Sequence, residues 1–420
     1  MANIGFSRNE RAYVQLETTY GVIPNTSGTA TLAGSNAFRF KKLQLNPAVE
    51  PLTREDKTGS RTVDKAIPGR RQASWSMNQD LAANGVPGVV PDSDPFLVAA
   101  MGNPGVVKAG TATITAATAA TPIVCTAANS FVNGDAVTIA GATGPGAAGP
   151  NGSGLNGTFI VIAVSGTGFT LLGSVGTGTL AGTPVASRVA VVYKLSDTLI
   201  PTMDIWDFRT PSTLQQRVAW GCNVKTFKFT LNQKIADVSF SGMAGWVLDS
   251  KSVADSSADA TALGGLTTFP AEPAVPVTNG GIIPGYQGRL VANGISLIRV
   301  NAMEVSGDTG GTLPTEYFTS QYPAPPEGDA RKISITADID DDDSVGIQAL
   351  YEAALTMTSI DLVAQIGIVP GSIFLIYIRG LQLAVPNLDD GSRRWQLKFG
   401  ESMAHGSSLT ALDDITIWVM

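Results

Sequence analysis

Residues able to do chemistry are scarce in this chain. One histidine, His405, is present among 420 residues, and its setting, Ala404-His405-Gly406-Ser407, reads as a surface turn. A single imidazole supplies neither a second zinc ligand nor a metal pair, and no Ser stands in a GxSxG elbow for it to activate. The glycines form no P-loop, and the many GxG occurrences follow from a Gly-rich composition. Cys125 and Cys222 lie far apart in runs of different character, with no CxxC, so both read as small buried hydrophobes. The run Asp338, Asp340, Asp341, Asp342 and Asp343 offers oxygens to a hard cation, but a loop beginning at Asp338 has neither Gly at its sixth position nor Glu at its twelfth. It reads as a solvated turn in which Asp343 or Ser344 caps a helix. Glu304, Glu316, Glu352 and Glu401 are available for glycosidase chemistry, yet nothing in their spacing sets two of them face to face. No enzymatic activity, metal or cofactor is expected.

The charged residues point instead to contact. Arg54, Glu55, Asp56, Lys57, Arg61, Asp64 and Lys65, followed by Arg70 and Arg71, lie in a segment too long for a simple hairpin turn. Acids interrupt the bases, so there is no clean phosphate-binding stripe, and specific nucleic-acid recognition is not expected. Charged residues are 15% of the chain, well under the usual quarter, with a net charge of -7 and 44% hydrophobic content. A surface so poor in charge suits contact with protein.

Positioning these residues falls to short strands. Phe38, Phe40, Leu43 and Leu45 alternate into one strand and Ala73 to Met77 into another, while Val224, Phe227, Phe229 and Leu231 alternate with Lys and Thr before a hairpin into ADVSFSGMAG. A short helix is predicted at Asp92 to Gly102, with Pro95 in its first turn and Gly102 closing it. A second begins beside Asp343-Ser344, with Ile347, Leu350, Tyr351 and Ala354 on its apolar face, and ends near Thr358. From 109 to 187 Asp135 is the only charged residue, and short β-branched runs alternate with Gly-rich turns. The expected fold class is therefore mainly β: a β-sandwich or barrel core at 1–106 and 188–420 with one or two short flanking helices, interrupted by a small all-β domain at 107–187. Residues 250–285 read as a Pro-rich connection, and the last strand, DITIWVM, ties the end of the chain into a sheet. No signal peptide is read in MANIGFSRNERAY and no apolar run reaches membrane-spanning length, so a soluble protein of the cytoplasm is expected.

The order of three pieces carries a resemblance. TREDKTGSRTVDKAIPGRRQASWSMNQDL, then SDPFLVAAMG, then VAWGCNVKTFKFTLNQKIADVSFSGMAG resembles the tail tube protein family of long-tailed, siphovirus-type bacteriophages. The likeness covers about 1–104 and 188–249, and more weakly 285–420. The segment from 107 to 187, with NGDAVTIAGATG and LNGTFIVIAVSGTGFTL, separately resembles a small β-barrel decorating module. The resemblance implies a structural virion subunit, assembled in the host cytoplasm, that forms stacked homo-oligomeric rings closed by shared strands. Six chains to a ring is the preferred reading; helices near 93–102 and 344–358 suggest two related halves, which would make the ring a trimer. Implied partners are further copies of the chain, the tape-measure, tail-terminator and baseplate proteins, and genomic DNA passing through the lumen without specific binding; no membrane is implied. The family has a long loop at the ring-to-ring junction, the position here of Arg54, Glu55, Asp56, Lys57, Arg61, Asp64 and Lys65. Competing readings are another virion part (baseplate, tail terminator or capsid decoration) and a bacterial surface β-domain protein.

Overall fold

The computed structural model describes residues 10–23, 32–53, 65–144, 154–176, 178, 181–209, 215–250, 269, 272–273, 281–297, 299–318, 320–342, 344–389, 391, 394–408 and 410–420. The protein is mainly β, with two α-helices among the described residues and several sheets, one of them curled into a half-barrel. Apart from one long insertion and the short pair Gly311–Thr312 with Glu327–Gly328, its strands and α-helices fall into two halves of the same order. The first half runs Glu10–Leu16, Ala37–Phe38, Lys42–Leu52, Ile67–Asp80, helix Asp94–Met101, then Met203–Arg209, Gln215–Cys222, Thr226–Asn232, Asp237–Ala244 and Trp246–Asp249. The second runs Arg289–Ala292, Ile295–Leu297, Val300–Asp308, Lys332–Asp340, helix Val345–Thr356, then Ile360–Ile366, Phe374–Gln382, Asn387–Asp389, Gln396–Ala404 and Ile415–Val419.

Each half contributes four strands to one continuous antiparallel sheet. Its order is 42–52, 67–80, 237–244, 226–232, then 300–308, 332–340, 396–404, 387–389. The halves meet where Thr226 to Asn232 pair with Asp308 to Ala302. Behind these inner strands each half has an outer layer, again in matching order: 246–249, 215–222, 203–209, 10–16, 37–38 in the first, a separate sheet, and 415–419, 374–382, 360–366, 289–292, 295–297 in the second, which is continuous with the inner strands where Leu381 and Gln382 pair with Ala404 and Met403. The likeness extends to details no propensity dictates. Met203 pairs with Cys222 and Ile205 with Ala219 across a bulge, as Ile360 pairs with Leu381 and Leu362 with Ile378 across another. The bulges end at Gly221 and Gly380, whose φ angles of 61° and 63° are left-handed. Leu81 N–H donates to Ala236 O and Asp341 N–H to Trp395 O, both at 2.8 Å. Between inner and outer sheets lies the core, where Leu43 and Met303, Leu45 and Val305, Val238 and Leu397, and Phe240 and Phe399 hold equivalent buried positions.

A helix follows the second inner strand of each half. In the first, Phe96 packs its ring 4.9 Å from Phe38 and 5.5 Å from Phe240, and Gly102 closes the helix at φ 81° with its N–H on Val98 O. In the second, Ser344 Oγ accepts from Ile347 N at 3.4 Å and Met357 ends the helix at φ 52°. Its buried face holds Ile347, Leu350, Ala353 and Ala354, whereas Tyr351, expected on that face, is 42% exposed. Ala353 stands on the buried side in its place.

Strands between Thr111 and Ser187 form a separate seven-stranded sheet with its own core of Cys125, Phe131, Val137, Phe159, Phe169 and Leu171. Val106–Lys108 and Ala190–Lys194, on either side of it, extend the second half's outer sheet beyond Ile415–Val419. The inserted domain is docked there. Ala136 and Ile160 pack with Val363, Leu375 and Trp418, and the Arg289 guanidinium reaches Gly173 O at 2.7 Å and Thr158 O at 3.3 Å over the Phe159 ring. Most of 250–285 lies outside the described residues.

Candidate assembly surface

One face of the inner sheet buries the core, so by the two-residue period of a strand the other face is open. It is polar. Thr226 and Ser241 hydroxyls meet at 2.6 Å, Ser306 and Ser334 at 2.9 Å, and Ser76 donates to Gln44 at 3.4 Å. Four lysines at this sheet are held by carboxylates, Lys228 by Glu304 at 2.6 Å, Lys332 by Glu401 at 2.7 Å, Lys398 by Asp389, and Lys41 by Asp80 and Asp237, both at 2.5 Å, while Lys42 is exposed on the same face. The hydrogen bonds that Lys41 and Lys398 donate to these carboxylates raise the pKa of both lysines. A lysine already in contact with a carboxylate has little field left for phosphate.

The inner sheet ends in two open edges. Among the described residues Lys42–Leu52 pairs with Ile67–Asp80 alone, and Asn387–Asp389 with Gln396–Ala404 alone. Such edges present unpaired N–H and C=O groups and invite another strand. Apolar side chains accompany them: Leu388 is 58% exposed and Leu52 and Val49 are exposed as well.

The two halves are also lapped at one end of the inner sheet. Arg71 N–H donates to Gln321 O at 2.9 Å, Gln321 Nε2 to Gly69 O at 3.2 Å and Tyr20 OH to Pro323 O at 3.1 Å, while Tyr322 packs edge-on to Trp220 at 5.8 Å. A cleft of about 270 Å³ beside the internal seam is lined by Asn232, Gln233, Tyr286, Arg289, Asn301 and Gln365 among others, with no carboxylate, histidine or cysteine.

Of the sequence-derived contact residues, Lys65 is exposed beside the strand Ile67–Asp80; Arg54, Glu55, Asp56, Lys57, Arg61 and Asp64 lie outside the described residues. The aspartate run is divided among different tasks. Asp340 is buried and accepts from Asn301 Nδ2 at 2.5 Å, Arg394 at 3.1 Å and Gln396 at 3.3 Å, and these bonds hold its carboxyl below the usual range. Asp342 Oδ1 accepts from Ser344 N at 3.1 Å. No cluster able to hold a metal ion occurs among the described residues. Glu304 and Glu401 are engaged by lysines, and Glu352 stands on the exposed side of its helix. His405 is exposed, and both cysteines are free and buried. Sequence reasoning did not find the two open edges; the exposed Leu388 in an otherwise polar NLDD run is the one local signal. No family model matches the chain, and no curated protein matches it.

Proposed function

We propose that the chain is a non-enzymatic structural subunit of a virion tail, forming rings that stack into the tube through which DNA passes. One observation carries this reading: two halves of identical strand order share one continuous run of eight inner strands, polar on its open face, whose end strands Lys42–Leu52 and Asn387–Asp389 have no outward neighbour among the described residues. Joining such sheets edge to edge closes a barrel and removes the edges. With six tube units to a ring, as the family resemblance implies, a chain carrying two units makes a ring of three copies. The inserted domain then stands on the outer side, on the second unit only.

The open face suits a conduit. Among the described residues its hydroxyls and its lysine-carboxylate pairs leave duplex DNA no cluster of free cations to adhere to, so DNA should show no measurable affinity at physiological salt. Tight, salt-sensitive binding would contradict this. The segment 53–66 joins two long inner strands at one end of the sheet, which supports a role between stacked rings. Reversing Arg54, Lys57 and Arg61 to Glu should weaken stacking while sparing single rings, and stacking should fall with salt. Sedimentation over a range of protein concentration tests the whole reading: discrete ring-sized and longer species are expected, and a monomer under every condition would overturn it.

A further inference from the structure

The seam inside the chain is a template for a seam between chains. Register equates Lys228 with Asn387, Phe229 with Leu388 and Thr230 with Asp389, because Lys228 lies opposite Ser239 and Asn387 opposite Lys398 in matching hairpins. It likewise equates Glu304 with Gln44, Val305 with Leu45 and Ser306 with Asn46. In the internal seam Thr230 faces Glu304, Phe229 faces Val305 and Lys228 faces Ser306. We infer that Asn387–Asp389 of one copy pairs antiparallel with the strand Lys42–Leu52 of the next, with Asp389 opposite Gln44, Leu388 opposite Leu45 and Asn387 opposite Asn46. The inference rests on the ring reading and adds its partner and register.

Two observations favour a second copy of this chain as the occupant. Phe229 is 0% exposed, shut in by the strand beyond it, while its counterpart Leu388 is 58% exposed at the open edge. A neighbour's strand would cover Leu388 beside Leu45, as Val300–Asp308 covers Phe229. Across the internal seam, moreover, Lys228 and Glu304 form a diagonal ion pair at 2.6 Å. Their counterparts are Asn387 and Gln44. Both charges have become amides together, as contact between those two positions requires, since a lone charge facing an amide would lose its partner. The two seams thus carry different chemistry, and the second half of one copy meets the first half of the next, a head-to-tail contact that closes into a ring.

The test uses the full chain with Gln44→Cys and Asp389→Cys introduced together; Cys125 and Cys222 are buried and do not compete. Mild oxidation of the assembled protein should give a covalent ladder ending at the ring's copy number, and each single cysteine variant none. Thr230→Cys with Glu304→Cys, at the internal seam, should link within one chain and calibrates the geometry. Leu388→Asp should leave the melting temperature of the monomer unchanged and abolish assembly. If the parent protein forms rings while the pair fails to link and Leu388→Asp assembles normally, the register is wrong and the ring reading stands. A covalent ladder without rings or tubes keeps the seam and overturns the ring reading; neither ladder nor rings overturns both.

Discussion

The two halves share their inner strands and differ on their outer faces. The first half's outer sheet turns Tyr13, Trp206, Phe208 and Trp220 outward, under Ile23, Leu32, Phe269 and Tyr322. The equivalents of Tyr13 and Trp206 in the second half are Val291 and Val363, and the inserted domain covers them. Arg11 and Arg289 hold matching positions: the first is half exposed and pairs with Glu272 at 3.1 Å, the second is half-buried against the insert, and this desolvation pulls its pKa down to about 10. Inner strands must keep a common register to make one sheet, so their pattern is held. Outer faces answer only to what covers them, and there the halves have diverged.

The largest difference between the halves is expected at the matched glycines. A Cβ on Gly380 would lie 2.2 Å from Gly406 O, a backbone atom with nowhere to go, whereas one on Gly221 would meet the Tyr20 ring at 2.7 Å. Both substitutions to Ala carry left-handed strain of roughly 1 to 3 kcal/mol. Gly380→Ala should lower the melting temperature more, and equal shifts would mean that the second bulge relaxes as freely as the first. Next comes the arginine pair. Arg289→Ala strands two carbonyls of the insert and should cost roughly 1 to 3 kcal/mol, with faster proteolysis inside 111–187. Arg11→Ala, losing an exposed ion pair, should cost about 0 to 1 kcal/mol.

A matched pair of aspartates separates the halves by sign. Asp204 is fully buried beside Glu17 and Cys222, and desolvation and then the Glu17 charge push its pKa well above the ordinary value. Its counterpart Asp361 accepts from Tyr377 OH at 2.8 Å and Gly380 N at 3.3 Å. An acid with a raised folded-state pKa binds its proton more tightly when folded. Stability therefore falls as pH climbs from the ordinary carboxylate range through the raised value. Asp204→Asn should flatten that slope in urea titrations from acid to neutral pH and stabilise the protein at pH 7. Asp361→Asn should destabilise it through its lost acceptor. The smallest effect belongs to the internal ion pair: Lys228→Met with Glu304→Gln should change stability by about 0 to 1 kcal/mol, because the pair is exposed.

Much of the strand content was legible in local pattern. The alternation of Leu43 and Leu45 and of Phe227 and Phe229, and the Pro95 and Gly102 ends of the first helix, are short-range signals that the fold obeys. The duplication was visible only through its two helices. Phe240 and Phe399 apart, the equivalent core positions named above share apolar character and not identity, as do Trp75 and Ile335 or Met77 and Ala337, so the relation resides chiefly in hydrogen-bond register. The open edges were hidden for a related reason. Whether a strand ends a sheet depends on pairing with residues hundreds of positions away, and Asn387–Asp389 alone reads as a turn. Charge drew sequence reasoning to 54–65, where the described residues include only Lys65, exposed beside its strand.

Negative-stain microscopy of the purified full-length protein tests the central claim most directly, that the chain is a pair of tube units which close into rings. Class averages should show rings, alone or stacked, with a central hole and three outward lobes, one inserted domain for each copy of two units. A particle the size of one chain at every concentration and salt, with no ring in any class, would contradict the account.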